Sequence, residues 1–191
     1  MPRLFGAAFV LMLAATAQVR ADESDLRASI SGALVVPTEQ RFVGYRWDRE
    51  PEIVALYFGA AWCGPCHAFT PELERIRGAL KEAGADTEVV YVSLDESERE
   101  MRRTMRSQRM PWPAIDYRRL RSLPAIRALG GLGPPNLVLV DRRGEVLASG
   151  WMDRRYTGMK PVLEAWMDAL STPAPLPHGA AIQSVPAETS P

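Results

Sequence analysis

Cys63 and Cys66 are the two cysteines of the chain, separated by Gly64-Pro65 and followed directly by His67. Two thiols at this spacing, at the start of a helix, can close a disulfide with each other and open it again, which is redox chemistry more than structural stapling. Cys63 to His67 also spells C-x-x-C-H, the attachment pattern of c-type haem, with Met101, Met105 or Met110 as conceivable second axial ligands. A structural zinc site would use the same residues and would lack a fourth ligand.

The chemistry depends on what holds the pair. Ile53 to Gly59 is a continuous apolar run, the pattern of a strand buried on both faces. After the cysteines, Phe69, Leu73, Ile76, Leu80 and Ala83 recur at three- and four-residue spacing, which predicts an amphipathic helix ending at Gly84. The cysteines therefore stand at a strand-to-helix junction, with Cys63 at the exposed helix N-terminus. Unpaired backbone N–H groups and the positive end of the helix dipole favour a thiolate there, so Cys63 is the expected nucleophile. Cys66, one turn further in, resolves the mixed disulfide. Gly64 lets the backbone turn tightly, and Pro65 fixes φ in the first turn, where a missing N–H costs nothing. Trp62 would cover the disulfide and offer a flat apolar surface to a substrate.

Downstream, Glu88 to Leu94 reads as a strand and Glu96 to Arg109 as a helix, with Met101 and Met105 facing inward. Arg99, Arg102, Arg103 and Arg106 form a basic, solvated stripe on that helix. Trp112 to Tyr117 is a short irregular strand and Arg119 to Leu129 a short helix. Asn136 to Val140 is a further apolar strand, Asp141 to Gly144 a hairpin turn, Glu145 to Ser149 the returning strand, and Thr157 to Leu170 the last helix. The predicted class is α/β, a central mixed β-sheet with helices on both faces.

With 191 residues, one domain with extensions is expected, and 23 basic against 23 acidic residues give no reason to expect nucleic acid or an anionic membrane surface as a partner. Residues 1–21 carry Arg3, an uncharged apolar run from Leu4 to Ala17, and Val19-Arg20-Ala21, the features of a secretory signal cleaved after Ala21 or after Ala17. The expected mature protein is soluble, without stable membrane insertion, in an oxidising compartment such as a bacterial periplasm. Residues 22–41 are expected to be a lead-in, 42–170 the domain, with Phe42 to Trp47 as an edge strand, and 171–191 a disordered Pro/Ala-rich tail.

Taken together, Trp62-Cys63-Gly64-Pro65-Cys66, Pro71 within the following helix, and Pro135 directly before a buried strand resemble thioredoxin. Tyr57 to Cys63, Val92-Ser93-Leu94-Asp95-Glu96 and Met110-Pro111-Trp112 are similar to the nucleoredoxin and tryparedoxin branch of that superfamily. The resemblance implies a thioredoxin-like fold and a thiol-disulfide oxidoreductase whose redox group is the Cys63–Cys66 disulfide itself, with no other cofactor and no metal. It implies a cis proline at Pro135, beside the substrate, preceded by Pro134, which has no N–H to give but offers a carbonyl. The family's buried carboxylate falls on Tyr57, which leaves the proton acceptor for Cys66 open among water, His67 and an acid brought near by the fold. A Cys-Gly-Pro-Cys loop implies a reductase, acting as a monomer on protein disulfides or dithiols and recharged by a membrane-embedded electron donor. A disulfide-forming oxidase, a redox-inactive binding module and a haem-attachment site are the alternatives.

Overall fold

The computed structural model describes residues 26–171. Residues 1–21, where the signal is expected, and 172–191, nearly all of the expected tail, lie outside the described residues. Strand β3 (Ile53–Gly59) is buried along its whole length and is paired on both sides, parallel with β4 (Thr87–Ser93) and antiparallel with β6 (Asn136–Asp141). Such a strand must be apolar on both faces, and its alternate side chains divide the interior in two. Ile53, Ala55 and Tyr57 join Val89, Tyr91, Leu137 and Leu139 in one core. That core also takes Leu73 from helix α2 (Gly64–Glu82), Met101 and Met105 from α3 (Glu98–Ser107), and Trp166 from α5 (Lys160–Ser171). Val54, Leu56 and Phe58 face the other core, with Ile30 of α1 (residues 26–32) and Ile126 of α4 (Pro124–Ala128). Helices thus cover both faces of a mixed sheet, as the sequence predicts.

The sheet has seven strands in the order β2-β1-β5-β4-β3-β6-β7, where β1 is Leu34–Pro37, β2 Phe42–Gly44, β5 Ala114–Ile115 and β7 Val146–Ser149. The boundary expected at residue 42 does not follow this sheet. Strand β1 pairs antiparallel with both β2 and β5, so it lies inside the sheet, and β2 forms the edge. Helix α1 is equally integral: the buried guanidinium of Arg27 donates to Glu50 Oε1 at 3.1 Å and to the Pro51 carbonyl at 2.7 Å. Residues 26–41 are therefore part of the domain rather than a lead-in to it.

Three local departures have plain causes. The helix expected over 119–129 is broken in two, a 3-10 turn at Arg119–Ser122 and then α4, because Pro124 starts a helix readily and continues one poorly. The arginine stripe of α3 is only partly solvated, since Arg102 donates to the Gln40 carbonyl and Arg106 to the Glu39 carbonyl, tying α3 to the β1–β2 turn. A second, two-stranded sheet follows β7, made of β8 (Trp151–Met152) and β9 (Arg155–Tyr156), and its turn holds Asp153 and Arg154 at φ 47° and 64°.

Glu88 supplies a buried ion pair between layers. Its carboxylate accepts from Arg77 Nη2 at 2.9 Å and from Lys81 Nζ at 2.7 Å, both on α2. Burial alone would raise this carboxyl, but Arg77 and Lys81 outweigh it and hold the carboxyl below its usual range. A folded value below the unfolded one, about 4.3, means stabilisation that is complete above that value and lost as the pH falls through the folded one. Glu88→Gln is expected to lower the unfolding free energy by about 1–3 kcal/mol at neutral pH. Urea denaturation at pH 7 and at pH 3 checks this, with the difference between variant and parent shrinking at the lower pH.

Candidate active site

Strand β3 ends at Gly59, where a side chain would be crowded: an added Cβ would stand 3.1 Å from the Tyr91 ring and 3.3 Å from the Tyr57 ring. The chain then turns, with Cys63 N–H donating to the Ala60 carbonyl at 3.1 Å, and α2 begins at Gly64 with Pro65 in its first turn. Cys63 is the N-cap of α2. Its Sγ lies 3.2 Å from the Cys66 N–H, in the place usually taken by a serine or aspartate oxygen. The two cysteines form a disulfide with their Cα atoms 5.2 Å apart.

Cys63 does not stand at an exposed end. In the oxidised pair it is 3% exposed and Cys66 1%, because both belong to the core cluster that contains Tyr57 and Phe69. Trp62 is 62% exposed, and Gly64 and Pro65 are also exposed, so the rim of the disulfide faces solvent while its sulfur-bearing residues pack inward. The nucleophile assignment thus rests on the helix terminus: the N–H that meets Sγ in the disulfide can stabilise a Cys63 thiolate after reduction. Reduction also frees Cys66 in an apolar wall, where a thiolate is disfavoured.

Tyr57 occupies the position expected for a buried carboxylate. Its hydroxyl lies 3.0 Å from Thr70 Oγ1 and 3.3 Å from the Cys66 carbonyl, which also accepts from Thr70 Oγ1 at 2.9 Å. Burial pushes the phenol up to about 12, so at neutral pH it is a neutral group that fixes the first turn of α2 and not a base.

The carboxylate that the fold does bring to the loop is Asp95, just past the end of β4. Because β4 runs parallel to β3, the two strands end together and Asp95 meets the segment that leaves β3. One carboxylate oxygen accepts the Ala61 N–H at 2.6 Å and the other accepts Ser93 Oγ at 2.7 Å. Tyr117 donates to the Asp95 carbonyl at 3.2 Å. At the same residue, in the next peptide unit, His67 Nε2 lies 2.7 Å from the Ala61 carbonyl, which makes Nε2 the protonated ring nitrogen. Both backbone polar groups of Ala61 are thus engaged, the N–H by Asp95 past the end of β4 and the carbonyl by His67 on α2. Asp95 was visible in the sequence only within the stretch Val92 to Glu96; the partner it meets is 34 residues away, and no local spacing announces it.

The haem alternative does not fit these residues. Met101, Met105 and Met110 are core side chains, 0%, 1% and 8% exposed, and the His67 nitrogen that would face iron is engaged by Ala61. Pro135 stands at the other side of the site. The Pro134–Pro135 peptide is cis, and since Asn136 pairs with Phe58, the loop before β6 lies at the same end of the sheet as the cysteines. Asn136 Nδ2 donates to the Leu129 carbonyl at 2.8 Å, closing that loop.

A family model described as thioredoxin-like matches residues 51–146. The chain belongs to the thioredoxin-like family. Nucleoredoxin of Xenopus laevis is 36% identical over 99 residues, which is 51% of this chain and 23% of that protein. Probable nucleoredoxin 1 of Arabidopsis thaliana is 39% identical over 100 residues, 49% of this chain and 16% of that one. The thioredoxin-like segment thus corresponds to less than a quarter of either relative. Among solved structures, tryparedoxin II from C. fasciculata superposes with a TM-score of 0.58 at 23% identity, covering 81% of this chain and 95% of that one. Tryparedoxin from Trypanosoma brucei gives 0.53 at 23% identity, covering 70% and 86%. These two structures bear on the fold alone, and the nucleoredoxin identities support the nucleoredoxin and tryparedoxin branch of the family.

The clamp on Ala61 should matter to the thioredoxin-like loop more than to the rest of the fold. Asp95→Ala leaves the Ala61 and Ser93 donors without their buried acceptor, and a loss of about 1–3 kcal/mol in unfolding free energy is expected. Urea titration of the oxidised protein measures it.

Proposed function

We propose that this chain is a thiol-disulfide oxidoreductase that reduces disulfides in other polypeptides through Cys63 and Cys66. The observation that carries the reading is Cys63 Sγ as the N-cap acceptor of α2, disulfide-bonded to a Cys66 set into the core. In the dithiol form, the Cys63 thiolate attacks one sulfur of a substrate disulfide. A Cys63–substrate disulfide forms, and the first substrate sulfur leaves as a thiolate that takes up a proton. Cys66, deprotonated, then attacks Cys63 Sγ, restoring the Cys63–Cys66 disulfide and releasing the second substrate thiol. Two electrons and two protons pass to the substrate, and the chain is left oxidised, as in the structure.

Within this cycle, Gly64 and Pro65 shape the N-terminal turn, Trp62 presents an exposed indole beside the disulfide, and Pro134 and Pro135 stand at the same end of the sheet on the β6 side. The Pro134 carbonyl supplies an acceptor for a substrate N–H. A dithiol donor has to recharge the protein after each turnover. The apolar run Leu4 to Ala17 and Val19-Arg20-Ala21 support an exported, periplasmic setting in which that donor is embedded in the membrane and the substrates are exported proteins.

Insulin reduction with dithiothreitol as electron source tests the reading. Cys63→Ser is expected to abolish activity, and Cys66→Ser to accumulate a mixed disulfide with substrate visible as an added mass on non-reducing gels. Activity retained in Cys63→Ser would remove the assignment.

A further inference from the structure

The loop between α4 and β6 carries a device that the redox cycle above does not use. Residues 128–135, Ala-Leu-Gly-Gly-Leu-Gly-Pro-Pro, contain no charge, and neither does the facing segment 57–66. Gly131 adopts φ +68°, and a Cβ placed on it would lie inside the indole of Trp151, so the ring occupies the space that the glycine leaves free. The same indole donates Nε1–H to the Gly133 carbonyl at 2.9 Å. Trp151 therefore grips the loop at two backbone points on either side of Leu132. Behind it, the Tyr156 ring of β9 stands 5.1 Å from the Trp151 ring, and the β8–β9 sheet backs the contact. The outcome is a leucine side chain 59% exposed in a run, residues 130–135, that is otherwise glycine and proline, at the sheet end shared with the 62% exposed Trp62.

An apolar side chain held out by a fixed backbone is unlike a mobile surface leucine: the ordering entropy is already absorbed by the indole contacts, so burying Leu132 against a partner yields more of its transfer free energy. We propose that Leu132 is a specificity-determining contact for polypeptide substrates, and that Trp151 is the residue that positions it. The occupant is an extended segment with an apolar residue next to its cystine. The absence of any charged side chain in residues 57–66 and 128–135 argues for such a segment over a small anionic disulfide, which would need cations to receive its carboxylates. The inference rests on the oxidoreductase reading and deepens it. Leu132 lies within the segment that the family model matches, residues 51–146, and Trp151 lies past its end.

The test uses pre-reduced full-length protein in single turnover, quenched with acid and alkylated, against insulin and against hydroxyethyl disulfide, a small neutral disulfide without a flanking side chain. Leu132→Ser is expected to lower the ratio of the insulin rate to the hydroxyethyl disulfide rate about tenfold, the loss of one buried leucine contact. Leu132→Met should restore most of it. Trp151→Phe, which keeps a ring on Gly131 and removes the bond to Gly133, should lower the same ratio about threefold. An unchanged ratio in Leu132→Ser overturns the role of Leu132, and an unchanged ratio in Trp151→Phe overturns that of Trp151. Parent protein that reacts with neither disulfide overturns the oxidoreductase reading instead.

Discussion

Strand β3 has no solvent-facing residue, and the rest of the structure is arranged around that constraint. A strand buried on both faces cannot slip by one residue without exchanging the side chains of the two cores. Here a slip would move Tyr57 away from the first turn of α2 and bring Phe58 into its place. Fixing β3 fixes where the chain leaves the sheet, and hence where Cys63 meets the first N–H groups of α2. The parallel partner β4 ends level with β3 and delivers Asp95, and the antiparallel partner β6 starts there and delivers the Pro134–Pro135 loop. One strand register therefore gathers Cys63, the carboxylate that holds its loop, and the Pro134–Pro135 loop at one end of the sheet.

The site combines polar anchoring with an apolar surround. Asp95 and His67 take up the backbone N–H and carbonyl of Ala61, and Tyr57 with Thr70 takes up the Cys66 carbonyl. The Cys66 carbonyl is buried, and left without a partner it would cost about 1–3 kcal/mol, so the Tyr57 and Thr70 hydroxyls permit the first turn of α2 to lie against the core. The sulfurs themselves have apolar neighbours. That contrast favours a thiolate at Cys63, which has the helix terminus, over one at Cys66, which has only the core. The proposed order of attack and resolution rests on this difference and does not need Cys63 to protrude.

The central part of this arrangement was legible in the sequence because its signals are local. Seven apolar residues before the cysteines, heptad-like spacing after them and Pro65 between them are enough to place a strand, a helix and its first turn. What was not legible depends on partners far away in the chain. Leu34 to Pro37 looks like a short apolar run before a proline, and only pairing with residues 114 and 115 makes it an interior strand. Asp95 looks like one acid among several in an acidic stretch until β4 is laid parallel to β3. Trp151 and Tyr156 belong to two-residue strands joined through Asp153 and Arg154 in left-handed conformations, where glycine or asparagine would have signalled a tight turn. The burial of Cys63 also escaped prediction, since a helix N-terminus suggests exposure and only the packed core shows otherwise.

A reductase and a disulfide-forming oxidase would share every contact described and differ in the relative stability of the dithiol and disulfide forms. The most direct measurement is the equilibrium potential of the Cys63–Cys66 couple in graded thiol–disulfide buffers, with the two forms counted by alkylation and mass. The account predicts a reversible two-electron couple closer to thioredoxin, about −270 mV, than to a strong oxidase, about −120 mV. A potential at the oxidase end, or a pair that does not equilibrate with the buffer, would contradict it.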